Sequence, residues 1–231
     1  MAKKIIKKMK KSHWAILVIL IVLIIDQASK IYIKTHFEYG GGFDIFGLKW
    51  AKIYFVENKG MAYGLELGGQ YGKLLLSLFR IVMIFVLIYI LAKLIKANEK
   101  LSLIISFSLI IAGAFGNIID SAFYGMIFSE TPRFHGGIAQ LFPEGGGYAG
   151  FLHGKVVDML YFPMIDTHLP DWIPFWGGER FIFFQPVFNV ADSAITIGVV
   201  SLLLFNRSFF INKEKELEKK RKKAKNSEEE E

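Results

Sequence analysis

The sequence contains no cysteine, which excludes disulfide bonds, thiolate metal sites and a cysteine nucleophile. Its five histidines show no spacing that suits a metal site, and no serine has a Lys or His partner at a recognisable spacing. Proline is also missing from most of the chain, since all six prolines lie between residues 121 and 186. We therefore expect neither a metal nor a cofactor.

The composition is instead strongly apolar. Hydrophobic residues make up 53% of the 231 positions, which indicates one membrane domain over residues 1–231. The net charge of +7 lies mainly in two basic tails, residues 3–11 and 207–225. Such tails beside apolar spans favour contact with membrane phospholipid over nucleic acid, and no nucleic-acid partner is expected. Residues 207–231 form a basic and acidic tail that we interpret as solvated and without a catalytic role.

Four segments are long and apolar enough to cross a bilayer, at about residues 14–34, 74–95, 101–120 and 187–206. The first lacks a small-x-small cleavage pattern and is interpreted as a retained span. The turn at residues 96–100 is basic, and the positive-inside rule places it in the cytoplasm together with both basic tails. The sequence therefore predicts an all-α membrane protein with four transmembrane helices and both termini cytoplasmic.

The other two segments, residues 35–73 and 121–186, should then lie outside the cytoplasm. Between Phe43 and Phe55 the residues alternate well enough to predict a small β element. The second segment contains every proline and ten glycines, so we expect an irregular chain with turns there. Its aromatic stretch from Trp172 to Phe184 suits a membrane interface.

Polar residues gather at the outer ends of the predicted helices. An ionisable group in a span is costly, so each one is a functional hypothesis. The first, third and fourth helices contribute Asp26 and Lys30, Asn117 and Asp120, and Asn189 and Asp192 respectively. Each Asn–Asp pair has i, i+3 spacing, which places both side chains on one helix face. The outer segments add Asn58 and Asp158.

Structural roles compete with functional ones at these positions. Asp26 and Lys30 have the i, i+4 spacing of an ordinary helix ion pair. Asn189 could be a simple N-cap with Asp192 as an acid in the first turn. Asp120 is unfavourable at a helix C-terminus, so we prefer a role in which it hydrogen-bonds a neighbouring part of the chain.

Two aspartates held close together would supply proton-transfer chemistry without a metal. They cannot both ionise cheaply, so one keeps a proton while the other acts as a base. The base would activate water against a peptide carbonyl, and the acid would donate to the oxygen and then to the leaving nitrogen. From the residues alone, Asp120 and Asp158 are both candidates to partner Asp192.

Five stretches, in order along the chain, resemble those of the bacterial lipoprotein signal peptidases, the type II signal peptidases. They are Asp26-Gln27-Ala28-Ser29-Lys30, Asn58-Lys59-Gly60-Met61-Ala62-Tyr63-Gly64, Gly113-Ala114-Phe115-Gly116-Asn117-Ile118-Ile119-Asp120, Val156-Val157-Asp158 and Phe188-Asn189-Val190-Ala191-Asp192-Ser193-Ala194-Ile195. Each stretch is weak by itself. Their common order, on a four-span topology obtained separately, makes the resemblance specific.

The resemblance implies an intramembrane aspartyl endopeptidase in the bacterial inner membrane, with its site near the outer face. Its substrate would be a diacylglyceryl prolipoprotein, cleaved just before the lipidated Cys, and globomycin should block it. Asp158 and Asp192 would be the catalytic pair. Residues that support the site or contact substrate would be Asp26, Lys30, Asn58, Gly60, Asn117, Asp120 and Asn189. We expect a monomer.

The chain departs from the family pattern in three places. Ser121 follows Asp120 where the family usually has Arg, and Ala112 replaces a glycine. Residues 121–155 form a long insertion before the Val-Val-Asp motif, with further extra length between Asp158 and Asn189. The insertion should lie over the outer face of the site.

Two other classes compete with the protease. A small ion-coupled transporter would need polar residues through the full membrane depth, whereas the inner halves of the second and third spans are apolar except for serines. These serines are Ser102, Ser106 and Ser108. An inactive membrane scaffold would have no reason to keep both Asp158 and Asp192.

Overall fold

The structure is a computed structural model that describes residues 9–58, 69–134, 136–207, 209 and 211. Gly60, one of the predicted site residues, lies outside these ranges. The rest of the predicted site falls within them.

Helices occupy all four predicted segments. They are α1 (Lys11–His36), α2 (Gly69–Lys96), α3 (Leu101–Ile119) and α4 (Val190–Phe205). Helix α3 continues through a wider π-helical turn, Asp120–Tyr124, and a last α turn, Gly125–Ile127. By length and composition α1, α2 and the extended α3 can cross a membrane, whereas α4 is apolar but shorter.

Helix α3 is the centre of the bundle, and close helix contacts depend on its small residues. A side chain at Gly113 would collide with the carbonyl oxygen of Ala191 on α4. In the opposite direction, a Cβ at Gly198 of α4 would lie 2.8 Å from the carbonyl oxygen of Ser106. In a membrane, hydrophobic burial contributes little to helix association, and small residues stabilise it instead by letting the helix backbones approach closely. These contacts bring the start of α4 beside the end of α3.

The predicted small β element is confirmed, and it is larger than expected. Strands β1 (Gly42–Asp44), β2 (Lys52–Asn58), β3 (Val156–Tyr161) and β6 (Val187–Phe188) form an antiparallel sheet in the order β1-β2-β3-β6. Strands β4 (Ile165–His168) and β5 (Arg180–Phe183) pair as a separate ribbon. The prediction of an irregular chain over residues 121–186 was therefore wrong for the three strands β3, β4 and β5. The ribbon is largely exposed on both faces, so its residues carry no alternation that sequence analysis could detect.

Strand β3 has two different faces. Val157 and Met159 are buried against Phe55, Tyr124 and Phe128 in an apolar core beneath the sheet. Because side chains alternate along a strand, Asp158 points to the opposite face. The sheet thus anchors β3 on one side and presents a carboxylate on the other.

The insertion leaves the helical bundle and returns to it at the same place. The amide of Gly154 donates to the Ser121 carbonyl at 2.8 Å, and that of Ala149 donates to the Gly125 carbonyl at 2.8 Å. A side chain at Gly154 would collide with the Asp120 carbonyl, so only glycine allows the approach. The returning chain therefore runs alongside the extension of α3 and leads directly into β3.

A buried ionic network ties the insertion to α1 and β2. Lys34 on α1 is fully buried and pairs with Glu57 on β2. Its ammonium also donates to Thr131 Oγ1 of the insertion at 2.9 Å. Lys155 lies 3.5 Å from the other oxygen of Glu57 and also pairs with Glu130. The network therefore holds the insertion and the start of β3 to the rest of the fold.

Replacement of Lys34 by Met should destabilise the protein strongly, because the buried Glu57 loses its nearer cation and keeps Lys155 at 3.5 Å and a hydrogen bond from Thr131. Loss of one partner of a buried pair costs about 3–5 kcal/mol, which corresponds to roughly 10 °C in unfolding midpoint for a chain of this size. Thermal unfolding in detergent measures the change. The matched control is Lys52→Met, which removes an exposed pair with Asp44 and should cost at most about 1 kcal/mol. Equal losses in both variants would contradict the role given to the network.

Candidate active site

Lys30 lies at the centre of the polar cluster between the helices. It is fully buried, with its ammonium 2.9 Å from Asp26 Oδ2 and 2.9 Å from Asp120 Oδ2. It also donates to Asn117 Oδ1 at 3.0 Å. The simple helix-pair interpretation of Asp26 and Lys30 was therefore correct but incomplete, because the same ammonium joins α1 to α3.

Gln27 is a member of the cluster to which sequence analysis gave no role. Its Nε2 donates to Asp26 Oδ2 at 3.0 Å and to Asp120 Oδ1 at 2.9 Å. Its Oε1 accepts a hydrogen bond from the Tyr124 hydroxyl at 3.2 Å. The sequence did offer a signal for this residue, since Asp26 and Gln27 are two consecutive polar residues directly after a long apolar run.

The two carboxylates beside Lys30 also fasten the elements that carry the other aspartates. Asp26 Oδ1 accepts from the backbone amide of Ala191 on α4 at 2.8 Å. Asp120 Oδ2 accepts from the amide of Val157 on β3 at 3.2 Å. The expected role of Asp120, a hydrogen bond to a neighbouring part of the chain, is confirmed. Both contacts fall one residue away from Asp192 and Asp158 respectively.

Two asparagine amides connect the remaining aspartates. Asn117 donates from Nδ2 to Asp192 Oδ1 at 2.8 Å. Asn189 donates from Nδ2 to Asp158 Oδ1 at 2.7 Å and to Asn117 Oδ1 at 3.1 Å. The two carboxylates are therefore held at the two ends of one short chain of amides. Of the two candidate partners for Asp192, Asp158 lies at the other end of this chain of amides, whereas Asp120 pairs with Lys30.

Asn189 and Asp192 also form a capping box at the start of α4. Asn189 Oδ1 accepts from the Asp192 amide at 2.9 Å, and Asp192 Oδ2 accepts from the Asn189 amide at 3.3 Å. The N-cap interpretation is confirmed, and the same residues also contact the site. Asp192 is half-buried, which leaves its carboxylate within reach of a bound molecule.

Asp158 lies on β3 with only 4% of its surface exposed. Burial and, to a smaller extent, the nearby negative charge of Asp192 raise the pKa of its carboxyl to about 7, although Lys30 and hydrogen bonds from Asn189 and Asn58 act in the opposite direction. A carboxyl with such a pKa can hold or release a proton near neutrality. Asn58, at the end of β2, thus contacts the site as predicted.

A second cation approaches this site from α2. Arg80 interacts electrostatically with Asp192, Asp158 and Asp120, most strongly with Asp192. It is the one charged residue of α2 between Lys73 and Lys93, and from the sequence alone we had interpreted its side chain as reaching to the outer membrane interface. Ser121, in contrast, is buried and turns its hydroxyl back to the Asn117 carbonyl at 3.0 Å.

The described residues thus bring together all of the predicted site residues except Gly60. They are Asp26, Lys30, Asn58, Asn117, Asp120, Asp158, Asn189 and Asp192. Over the same described ranges, no three Asp, Glu or His side chains are grouped in a way that could hold a metal ion. Fold and site together define a helical membrane protein that presents a hydrogen-bonded pair of aspartates beside a buried ion cluster.

The family model described as Signal peptidase (SPase) II matches residues 18–209. The chain belongs to this family.

Curated relatives agree with the match. The lipoprotein signal peptidase of Porphyromonas gingivalis is 54% identical over 187 residues, covering 80% of this chain and 79% of the relative. That of Amoebophilus asiaticus is 35% identical over 206 residues, covering 87% and 80% of the two chains. A solved bacterial membrane enzyme, determined by the in meso method at 1.9 Å, has a TM-score of 0.53 at 26% identity. The match covers 83% of this chain and 91% of the chain of that enzyme, so the two proteins share a fold.

The raised pKa of Asp158 predicts that this residue makes stability fall as pH rises. The folded state holds the proton more tightly than the unfolded state, so the contribution is complete below about pH 4 and is lost as pH rises through about 7. Asp158→Asn removes the titration. We expect its unfolding midpoint in detergent to exceed that of wild type at pH 8 by several degrees, and by much less at pH 4.

The matched control is Asp44→Asn, an exposed carboxylate on β1. Its unfolding midpoint should stay close to that of wild type, because exposed ion pairs contribute little to stability. A gap between wild type and Asp158→Asn that stays constant from pH 4 to 8 would contradict the raised pKa.

Proposed function

We propose that this chain is an aspartic endopeptidase of the lipoprotein signal peptidase type, with Asp158 and Asp192 as its catalytic pair. It removes the signal peptide from a diacylglyceryl-modified prolipoprotein just before the lipidated Cys. The observation that carries the assignment of the pair is the amide chain through Asn117 and Asn189, which joins these two carboxylates.

The pair supplies general acid and base catalysis with one shared proton. The ionised carboxylate removes a proton from water, whose oxygen forms a bond to the peptide carbonyl carbon. The protonated carboxyl donates to the carbonyl oxygen as the tetrahedral intermediate forms. When the intermediate collapses, the C–N bond breaks, and the leaving nitrogen takes the proton that the base had removed from water. A hydroxyl of the intermediate returns its proton to the carboxylate that had acted as the acid, so the carboxylic acid product forms and the pair again holds one proton.

The remaining cluster residues support this pair rather than react. Lys30, Asp26 and Asp120 form a buried ion cluster whose outer hydrogen bonds fix the backbone beside each catalytic residue. Asn117 and Asn189 orient the carboxylates. Asn58, at the end of β2, and Gly60, two residues further along the sequence, are candidates for substrate contact.

The proposed topology has four spans with both termini in the cytoplasm of a bacterial inner membrane. Many large apolar side chains on α1 and α2 are exposed, as expected for surfaces that face lipid. Helix α4 crosses as the fourth span, and its short length fits a start below the membrane surface at the catalytic aspartate. The sheet, the insertion and the active site then lie on the outer side. We propose that the enzyme works as a monomer in contact with phospholipid.

The absence of cysteine makes this topology directly testable by single-cysteine labelling. Ala97→Cys lies in the exposed turn between α2 and α3, and Glu144→Cys lies in the exposed insertion. In intact cells, a membrane-impermeant maleimide should label position 144 but label position 97 only after lysis. Labelling of both positions, or of position 97 alone, before lysis would overturn the orientation.

Replacement of either catalytic aspartate should abolish peptide-bond cleavage. We expect Asp158→Asn and Asp192→Asn each to lower kcat/KM at least about 1000-fold, because neither amide can exchange a proton. The measurement is cleavage of a purified diacylglyceryl prolipoprotein in detergent, followed by gel shift or mass spectrometry.

The control is Asp166→Asn, which removes an exposed carboxylate that pairs with Arg180 in the β4–β5 ribbon. It should leave cleavage within about two-fold of wild type. Full cleavage by either active-site variant would sink the assignment, as would loss of cleavage on addition of a metal chelator. Globomycin should inhibit wild type.

A transporter is not favoured by the polar groups deeper in the bundle. Ser106 donates to Ser201 on α4 at 2.8 Å, and Ser102 donates to Asn206 at 2.9 Å. Ser108 donates to its own helix at the Ile104 carbonyl. These hydroxyls tie α3 to α4 or to its own backbone, as interhelical and back-bonded serines do in membranes.

A further inference from the structure

The ribbon formed by β4 and β5 has two chemically different faces. Directly paired residues of an antiparallel ribbon point to the same side, and successive residues along a strand alternate between sides. The register pairs the two strands residue by residue: Ile165 with Phe183, Asp166 with Ile182, Thr167 with Phe181 and His168 with Arg180. Ile165, Thr167, Phe181 and Phe183 therefore share one face, and the other four residues share the opposite face.

The second of these faces is polar. Arg180 donates to both carboxylate oxygens of Asp166, at 2.7 and 2.6 Å, in an exposed ion pair. His168 lies on the same face, and Ile182 is its one apolar member and is partly buried. This face has the composition of a surface in contact with water.

The first face, which we call the apolar ribbon face, is hydrophobic and open. Each of Ile165, Phe181 and Phe183 exposes at least 41% of its surface, and Thr167 is the one polar member. Neighbouring large apolar side chains that are exposed together mark a surface that contacts a partner. The apolar ribbon face is therefore a candidate interaction surface.

The turn between the two strands, residues 169–179, adds three exposed aromatic side chains at the tip of the ribbon, those of Trp172, Phe175 and Trp176. Internal hydrogen bonds hold its backbone, among them that of the Gly177 amide to the Ile173 carbonyl at 3.0 Å. Phe175 has a φ of 69°, which bulky residues seldom adopt, and exposes 93% of its surface. A strained backbone that presents an aromatic ring outward indicates a contact outside the chain.

Both ends of the ribbon are attached beside the start of α4. Phe162, which precedes the ribbon, and Phe184, which follows it, both pack against Phe188, with ring centroids 5.6 and 5.8 Å apart. Phe188 is directly followed by Asn189, the N-cap of α4. In the proposed topology α4 starts below the outer membrane surface. The headgroup zone of one leaflet is about 5–8 Å thick, so a ribbon attached at this level lies within or beside it.

We propose that the apolar ribbon face and the aromatic turn dock into the outer leaflet of the bilayer, with the polar face of the ribbon turned toward water. Lipid fits this surface because the ribbon is attached where a span enters the membrane, and because aromatic side chains favour the membrane–water interface. Residues 163–186 contain three acidic residues and a single Arg, so the contact is apolar and needs no anionic headgroup. The inference goes beyond the peptidase chemistry and takes from the proposed function only its topology.

The test uses the full-length protein, which has no cysteine of its own, in phosphatidylcholine nanodiscs. Thr167→Cys and His168→Cys are adjacent exposed positions on opposite faces of β4 and are matched controls for each other. Each is labelled with nitrobenzoxadiazole, and fluorescence is measured with and without phosphatidylcholine that carries a nitroxide high on one acyl chain. Quenching at position 167 should exceed that at 168 at least about two-fold, because an interfacial apolar face enters the headgroup and acyl boundary. Phe181→Cys, the residue paired with Thr167, gives a second measurement on the same face.

The aromatic turn is tested in the Thr167→Cys background. Joint replacement of Trp172, Phe175 and Trp176 by Ser should lower the quenching at position 167 by about half or more, since it removes much of the apolar area in contact with lipid. Phe142→Ser removes an exposed aromatic side chain from the insertion instead and should leave the quenching unchanged. Addition of phosphatidylglycerol to the nanodiscs should also leave it unchanged.

Equal quenching at positions 167 and 168, or none at either, would overturn the proposal. Undiminished quenching after loss of the three aromatic residues, or quenching that requires anionic lipid, would also contradict it. A label at 167 that is shielded from aqueous iodide but not reached by the lipid nitroxide would assign the face to a second copy or another protein. Neither readout involves cleavage, so these outcomes leave the peptidase assignment intact, and maleimide labelling at positions 97 and 144 detects an error of topology separately.

Discussion

The buried ammonium of Lys30 is the interaction on which the rest of the site depends. Removing an ion from water costs several kcal/mol, which only close partners can offset. Here the partners come from two helices, Asp26 on α1 and Asp120 on α3, with Asn117 as a neutral third. Because these carboxylates also accept backbone amides of α4 and β3, one charge determines where four elements meet.

This arrangement separates structural charge from reactive charge. Asp26 and Asp120 both pair with the Lys30 ammonium, which holds them as fixed hydrogen-bond acceptors. Asp158 and Asp192 receive neutral amide donors instead, which orient a carboxylate without removing its ability to exchange a proton. Four aspartates of one chemical type thus divide into two pairs with different tasks, and the division follows from their partners.

The helices and most of the site could be predicted from the sequence, because both depend on patterns of residues that are close together along the chain. Apolar length predicted four helices, and i, i+3 spacing predicted that Asn189 and Asp192 share a face. Strands β4 and β5 were missed because an exposed ribbon has no alternating pattern. The choice of Asp158 over Asp120 also depended on the family resemblance, because spacing along the chain does not say which carboxylate an ammonium will occupy. Gln27 and Arg80 are visible in the sequence as polar residues within apolar helices, but the sequence does not show that their partners, such as Asp120 and Asp192, come from other helices.

The insertion is closed at its base, where the amides of Gly154 and Ala149 bond to the carbonyls of Ser121 and Gly125. This base, which we call the stem, allows the length of the insertion beyond it to vary. Because the Gly154 amide donates to the Ser121 carbonyl, the chain that enters β3 starts next to the end of α3, as it would if the insertion were missing. Residues beyond the stem, toward the loop tip near Glu144, can therefore vary without moving Asp158. Homologues can lengthen or shorten this excursion as neutral change, and a fluorescent tag or epitope grafted at the tip would report on the enzyme in living cells while it continues to work.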